Sequence, residues 1–298
     1  MTPDSPGAPE SPGVPASPGA PDSVAVNGRK SPWVSAIERG LHYGDGLFET
    51  IACVGGRPRL LSLHLARLLR GCTRLGIPFT DPEALRSEIE ALAAPRRRAI
   101  VKVLLARGSA LERGYRLTGG EQATRVTLRY GWPEPDPAAA RDGVRVRISA
   151  LRLGENPHLA GLKHCNRLEQ VLARREWTDP AIAEALMFNS SGNLVCGVMS
   201  NLFLVQDGRL RTARVDRSGV EGVIREVVMR EAARAGIALE ETLLTADDLT
   251  RAAEVFLTSS LHGIRPVRAL ESREWPLGPV TRALQGRLAA VFAARGDE

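Results

Sequence analysis

From residue 24 onward the chain switches between two periods of apolar residues. Alternating or continuous apolar runs predict strands, and runs recurring every three or four residues predict helices. "VAVNGR" predicts a strand that ends in a turn at Asn27-Gly28, and "GLFETIACVGGRPRLL" predicts a hairpin with Gly55-Gly56 at its tip. In "LSLHLARLLRGCTRLGI", Leu61, Leu65, Leu68, Leu69 and Leu75 recur at helix spacing. Asp81 is placed to cap a second helix, "PEALRSEIEALAA", with Pro82 at its first position. "RAIVKVLLAR" and "TRVTLRYGW" read as strands and complete a small α+β domain over residues 24–131. Residues 132–143 are rich in turn formers and read as a linker. Residues 144–298 form a larger domain, with strands at "VRVRISALRL", "EALMFNSSG", "LVCGVMSNLFLVQDGRLRTA" and "AAEVFLTSSL". Its helices follow Lys163, cover "REVVMREAARAG" and begin near Val280. This irregular alternation argues against a simple doubly wound sheet. Residues 1–23, built from S-P-G and A-P units, lack the apolar bulk to offset ordering entropy and are expected to be a disordered tail.

Composition narrows the class. With 298 residues, 43% of them hydrophobic, the chain can bury a sizeable core. It has no run of 18 apolar residues and no basic-then-apolar leader, so neither a membrane span nor a secretory signal is expected. Cys53, Cys72, Cys165 and Cys196 show no C-x-x-C spacing, which points to a reducing cytoplasm and away from disulfides and zinc. Net charge is +6, but the basic residues are scattered, which argues against a nucleic-acid footprint and suits an anionic small substrate.

The chemistry starts from a count. Of 40 basic side chains only Lys30, Lys102 and Lys163 are lysine. A desolvated lysine can lose its proton and act as a base or form a Schiff base, which a guanidinium cannot do. Lys30 lies in an early polar turn. Lys102 is mid-strand in "IVKVLL" and faces either a pocket or solvent. Lys163 follows a Gly-Leu turn, among His164, Asn166 and Arg167, and is the candidate catalytic residue. Phosphate sites need backbone N–H groups, commonly at a helix start. "SGVEGVIREVV" and the hydroxyls of "LTSSLHG" are candidates, and Arg67 in "HLARL" could clamp a phosphate. No H-x-x-x-H pair, G-x-S-x-G elbow, Walker loop or G-x-G-x-x-G fingerprint is present.

Six stretches, "RGLHYGDGLFET", "HLARL", "KHCNRLEQVLA", "GVMSNLFLV", "GVEGVIRE" and "EVFLTSSLHGIRPV", occur in the order found in class IV pyridoxal-phosphate enzymes. The chain resembles that family from residue 24 to its end. The family takes in branched-chain and D-amino acid aminotransferases and lyases acting on 4-amino-4-deoxychorismate. "RLGENPHLAGLKHCNRLEQVLARRE" and "ARGSALERGY" resemble the lyase branch. The resemblance implies a two-domain α+β fold, with a small N-terminal domain and a larger one built around a barrel-like sheet, and a homodimer. It implies that pyridoxal 5'-phosphate is the cofactor and that Lys163 carries it covalently. It further implies that Arg67, the backbone at Gly222, Val223 and Ile224, and Ser260 hold the phosphate. Relatives often have threonine where Ile224 stands. Tyr43, Arg107 and Tyr115 are the implied substrate contacts, with Arg107 suited to a carboxylate. One departure stands out. The family places a glutamate against the pyridine nitrogen five residues before the Asn of "SNLF", and Cys196 occupies that position. A neutral thiol is at best a weak donor. That favours elimination over transamination, with a D-amino acid or branched-chain aminotransferase of the same fold and a catalytically impaired cofactor-binding protein as the alternatives.

Overall fold

A computed structural model of the chain describes residues 19–134 and 136–294. The expected tail therefore lies mostly outside the described residues. Its last two residues belong to the fold: Asp22 donates its backbone N–H to Arg129 and pairs with Arg96 and Arg129, and Ser23 opens the first strand.

The first sheet comprises β1 (Ser23–Val26), β2 (Arg29–Lys30), β3 (Gly46–Val54), β4 (Arg57–Pro58), β5 (Arg98–Ala106) and β6 (Thr124–Gly131), in the order β2-β1-β6-β5-β3-β4. Every pairing is antiparallel. The tight turns are those the sequence marks, with Asn27, Gly28, Gly55 and Gly56 all at positive φ. Helices α1 (Arg39–Tyr43), α2 (Leu61–Leu75) and α3 (Pro82–Ala93) accompany this sheet. Asp81 caps α3 by accepting the N–H of Ala84 at 3.0 Å. Leu47 and Ile51 of β3 and Val101, Val103 and Leu105 of β5 pack against Leu65 and Leu68 of α2 and Leu85 and Ile89 of α3. The opposite face, with Phe48, Thr50, Ile100, Lys102, Leu104 and Leu128, stays half-buried.

Helix α4 (Pro137–Arg141) lies in the expected linker. The second sheet comprises β7 (Val144–Leu153), β8 (Ile182–Asn189), β9 (Leu194–Gly197), β10 (Asn201–Gln206), β11 (Arg209–Ala213), β12 (Leu239–Thr242), β13 (Glu254–Ser259), β14 (Gly263–Leu270) and β15 (Arg273–Glu274). Its helices are α5 (Leu168–Arg174), α6 (Val223–Arg234), α7 (Ala246–Arg251) and α8 (Pro279–Ala293). The path β10-β13-β14-β7-β8-β9 returns to its start because Asn201 of β10 pairs with Cys196 of β9. This ring is the barrel-like core. Val146, Leu186, Phe188, Leu194, Leu202, Leu204, Val255, Leu257 and Val267, drawn from all six strands, form one cluster and fill its interior. Phe203, Val205, Phe256 and Ile264 face outward against α6 and α8.

Three elements escape the sequence pattern. Strand β14 contains Pro266, which reads as a strand breaker but is accommodated here opposite Phe256. Strand β12 is short and half-polar. Helix α7 is only six residues long, and its capping box between Thr245 and Asp248 defines it better than its apolar content. Among the described residues no helix is long and apolar enough to cross a membrane, and no cluster of His, Cys, Asp and Glu could hold a metal ion.

Leu186 is fully buried inside the ring. Leu186→Ala should lower unfolding free energy by about 3 kcal/mol in urea titrations; a loss under about 1 kcal/mol would show that the ring interior is not close-packed.

Candidate active site

Lys163 lies on a short extended segment held from both sides. On one side Phe48 donates its N–H to the carbonyl of Lys163 at 2.9 Å, and Cys165 donates to Gly46 at 2.9 Å. On the other, Gly161 donates to Gly219 at 3.1 Å, and Glu221 donates back to Gly161 at 3.0 Å. Gly161 has φ of 82°, a conformation that suits glycine and makes this close approach possible. Residues 161–165 therefore bridge the first sheet and the loop leading into α6. Helix α5 starts five residues after Lys163 and is shorter than the apolar run suggests. Its Leu168, Val171 and Leu172 are exposed rather than packed inward.

The Lys163 amine lies 4.3 Å from the centre of the Phe48 ring. The residue as a whole keeps part of its surface, but protein crowds the amine itself. Burial, and then the positive charge of Arg67, push its pKa from 10.5 down to about 7, while Glu49 opposes the shift. Arg167 and Lys102 add further positive charge. A large share of the amine is thus neutral near neutral pH, the form that attacks carbonyls and accepts protons.

Beside it lies a buried charge network. Glu49 is 1% exposed and accepts from Arg67 through both carboxylate oxygens, at 2.8 Å from Nε to Oε1 and through a short contact from Nη2 to Oε2. His64 Nδ1 is 2.7 Å from the same carboxylate, and its Nε2 is 3.4 Å from Ser260 Oγ. Burial pushes Glu49 upward, but the charges and hydrogen bonds of Arg67 and His64 outweigh it and hold the carboxyl at about 2. Burial holds His64 below the usual histidine range against the opposing pull of Glu49, and Arg67 is the foremost counter-ion of that carboxylate. Arg67 also donates to the carbonyl of Glu221 at 3.0 Å, which sets it against the start of α6.

That helix start has no side-chain cap. Gly222 is its N-cap, and Val223 and Ile224 are its first residues. A Cβ on Gly222 would lie 2.0 Å from Asn201 Oδ1, so only glycine fits there. Asn201 Nδ2 in turn donates to Val220 at 2.8 Å and holds the loop. Free N–H groups at a helix start, with a buried arginine and a serine hydroxyl nearby, suit a phosphate monoester. A partly neutral lysine beside them suits a carbonyl. These residues fit a small molecule carrying both groups.

The other expected residues are placed as follows. Tyr43 and Tyr115 come together with ring centres 5.2 Å apart, and Asn166 Nδ2 donates to Gly44 beside them at 3.4 Å. Tyr115 is 82% exposed. Arg107 is committed elsewhere. It is buried, grips Asp45 through Nε and Nη2 at 2.8 and 3.1 Å, and donates to the carbonyls of Gly76 and Leu75. Its donors are spent on structure, so it is poorly placed to meet a substrate carboxylate. Cys196 follows a bulge at Val195 that puts its side chain on the outer face of the ring with Met187, among Ala173 and Trp177. Burial, reinforced by the Glu184 carboxylate, raises its thiol pKa to about 12, so it is neutral. Arg167 lies near enough to both Cys196 and Arg67 for their charges, where present, to be felt, and its guanidinium is 5.9 Å from the Phe48 ring beside Lys163.

Comparison with known proteins agrees with this geometry. Residues 46–270 match the family "Amino-transferase class IV". The chain belongs to the class IV aminotransferase family. Among class IV proteins, it is 33% identical over 267 residues to the aminodeoxychorismate lyase of Vibrio harveyi, covering 88% of this chain and 98% of that one. It is 45% identical to the solved 4-amino-4-deoxychorismate lyase of Pseudomonas aeruginosa, covering 90% and 98% of the two chains with a TM-score of 0.85. A solved branched-chain amino acid aminotransferase from Escherichia coli is more distant, at 25% identity, a TM-score of 0.78, and coverage of 91% and 95%.

Three participants in this class IV site were not singled out from the sequence: Phe48, Glu49 and His64. A signal existed for two of them. Glu49 shares the strand phase of Leu47 and Ile51, and His64 shares the helix stripe of Leu61, Leu65 and Leu68. A polar residue on an apolar face must be satisfied by a partner.

In the apo protein, acylation of Lys163 followed by peptide mass mapping should titrate with a midpoint near 7; a midpoint near 10.5 would refute the desolvation of the amine. Glu49→Gln leaves Arg67 buried without its counter-ion and should cost about 3 kcal/mol. Because the folded pKa of Glu49 is depressed, its contribution is complete above the ordinary carboxylate range and disappears as pH falls toward about 2. Acid unfolding curves of wild type and Glu49→Gln should therefore converge at low pH; parallel curves would contradict this.

Proposed function

We propose that this chain is a pyridoxal 5'-phosphate-dependent lyase that converts 4-amino-4-deoxychorismate to 4-aminobenzoate and pyruvate. The observation that carries this reading is Lys163, a buried amine with pKa about 7 set beside a helix start and Arg67. The likeness to solved and curated lyases over most of the chain selects the substrate.

In this reading Lys163 holds the cofactor aldehyde, Arg67, Ser260 and the N–H groups at Gly222, Val223 and Ile224 hold its phosphate, and Tyr43 and Tyr115 border the substrate. When bound, the cofactor supplies a carbonyl that captures the substrate amine and a ring that withdraws electrons from the adjacent carbon. Lys163, released and neutral, takes the proton from the carbon that bears the nitrogen. The electron pair left behind expels the neighbouring enolpyruvyl oxygen, and the substrate ring becomes aromatic. Lys163 then returns its proton to the departing fragment, which leaves as pyruvate, and its amine retakes the cofactor aldehyde, which frees the amine of 4-aminobenzoate. Atoms balance without an added oxidant or water.

Cys196 supports elimination. A thiol that stays neutral to about pH 12 brings no negative charge to the position where the family carries glutamate. Elimination discharges its electron pair at once into the leaving group, so it depends less on such a charge than transamination does. The exposed apolar residues Trp33, Ile37, Leu41, Leu168, Val171 and Met199 support a homodimer as the working form. Free thiols at all four cysteines fit a cytoplasmic setting.

Purified protein should release 4-aminobenzoate and pyruvate in equal amounts from aminodeoxychorismate, and Lys163→Arg should lose at least about a thousandfold in rate. Amino-group transfer from an amino acid to a keto acid, without pyruvate release from aminodeoxychorismate, would replace this reading with an aminotransferase. Cys196→Glu should shift the absorbance of the bound cofactor; an unchanged spectrum would place Cys196 away from its ring.

A further inference from the structure

We propose that Arg39 is a positioning residue for the reaction: it fixes the loop 107–123 so that Tyr115 stands against Tyr43 at the edge of the substrate site. The inference rests on the reading that these two tyrosines border the substrate, and deepens it. The loop joins β5 to β6 and contains neither helix nor strand. One buried carboxylate holds both of its ends. Glu38 Oε1 accepts the N–H of Gly108 at 3.1 Å, and its Oε2 accepts the hydroxyl of Thr124 at 2.6 Å. The N–H of Arg39 donates to Gly108, and that of Ala110 donates to Ile37. These contacts account for the base of the loop. They do not reach its middle, where Leu111, Tyr115 and Leu117 are exposed.

The Arg39 side chain does reach it. The residue is buried, and its guanidinium donates in three directions: Nε to Asp45 at 2.9 Å, Nη1 to the carbonyl of Gly114 at 3.2 Å and Nη2 to the carbonyl of Tyr115 at 3.3 Å. The same group lies 5.0 Å from the centre of the Tyr43 ring, which is 5.2 Å from that of Tyr115. One side chain thus sets both tyrosines. Gripping two successive carbonyls while keeping an ion pair requires a planar fork, and the single nitrogen of lysine cannot do it. Tyr43 is fixed in turn against the lysine segment. The next residue, Gly44, has φ of 64° and accepts from Asn166 Nδ2 at 3.4 Å, and a Cβ there would lie 2.3 Å from Asn166 Oδ1. Asn166 is three residues past Lys163. A ring as exposed as that of Tyr115 buries little apolar surface and adds little to folding. A buried arginine that orders the backbone beneath such a ring is explained by what the ring meets. On a loose loop Tyr115 would sample many positions, and each arriving substrate would have to order it. Arg39 completes that ordering during folding.

The test reads the loop and the reaction separately, in cofactor-loaded protein. Arg39→Lys keeps a positive charge beside Asp45 and removes the grip on the two carbonyls. Amide hydrogen exchange over residues 110–117 should speed up at least about tenfold, while both sheets exchange as in wild type. With aminodeoxychorismate, KM should rise about tenfold and kcat should change less than about threefold. Tyr115→Ala should raise KM by a similar factor. Adding Arg39→Lys to Tyr115→Ala should raise it less than about twofold further, because both changes act through one ring. A purely structural arginine would give independent effects. If Arg39→Lys fails to fold, Arg39→Gln takes its place. Unchanged exchange in the loop overturns the proposal. So does faster exchange with KM within about twofold of wild type, and so do additive effects of the two substitutions. A wild type without lyase activity whose loop still loosens in Arg39→Lys refutes the proposed reaction and leaves the hold of Arg39 on the loop standing. A working lyase whose loop and KM are indifferent to Arg39 does the reverse.

Discussion

The candidate site depends on five residues of backbone, 161–165, that are hydrogen-bonded to Gly46 and Phe48 on one side and to Gly219 and Glu221 on the other. These bonds join parts of the chain more than a hundred residues apart on one side and more than fifty on the other. They locate the Cα of Lys163 and leave only its side chain free to move. They also bring Arg67, Phe48 and the start of α6 around the amine, so that burial and positive charge together lower its proton affinity. A lysine on a mobile loop would keep water around its ammonium and remain charged. Here the desolvation follows from the backbone pairing.

Buried and half-buried carboxylates organise the rest. In a chain with net charge +6, four acidic side chains each tie down a separate piece of the site or its support. Asp45 holds Arg39 and Arg107, and Arg39 reaches on to the carbonyls of Gly114 and Tyr115. Glu49 holds Arg67 and His64. Glu184 accepts the N–H of Met199 at 2.6 Å and pairs with Arg265, fixing the turn between β9 and β10 next to Cys196. Glu254 accepts from Val280, Thr281 N and Thr281 Oγ1, and so caps α8. Glycine makes two of these contacts possible, since a Cβ on Gly197 or Gly278 would collide with Glu184 or Glu254. Breaking a buried pair of this kind leaves an uncompensated charge, which explains why so much of the arginine content near the site is structural.

Much of the fold was legible because it is local. The turns at Asn27-Gly28 and Gly55-Gly56, the cap at Asp81, the stripe of α2 and most strands follow from residues near one another in the chain. Strand β14 was hidden by Pro266, and α7 by its brevity. The site was legible where a residue's chemistry is exclusive. Only lysine suits a role requiring a neutral amine, and only three were available. It was not legible where one type serves two purposes. Arg67 and Arg107 look alike in sequence, each beside an apolar element. Arg67 faces the start of α6, and Arg107 is spent on Asp45 and two carbonyls.

By itself the sequence determined the two-domain pattern, the candidate lysine and the unusual cysteine, because periodicity and side-chain chemistry are written residue by residue. Tertiary structure alone decided the closure of the ring through Asn201 and Cys196, the outward turn of Cys196 by a bulge, and the meeting of Lys102, Lys163 and Arg167 over Phe48. It also decided that Lys163 is partly neutral. A pKa depends on the solvent and charges around a group, and those neighbours come from β3, β5, α2 and the start of α5, which only folding brings together.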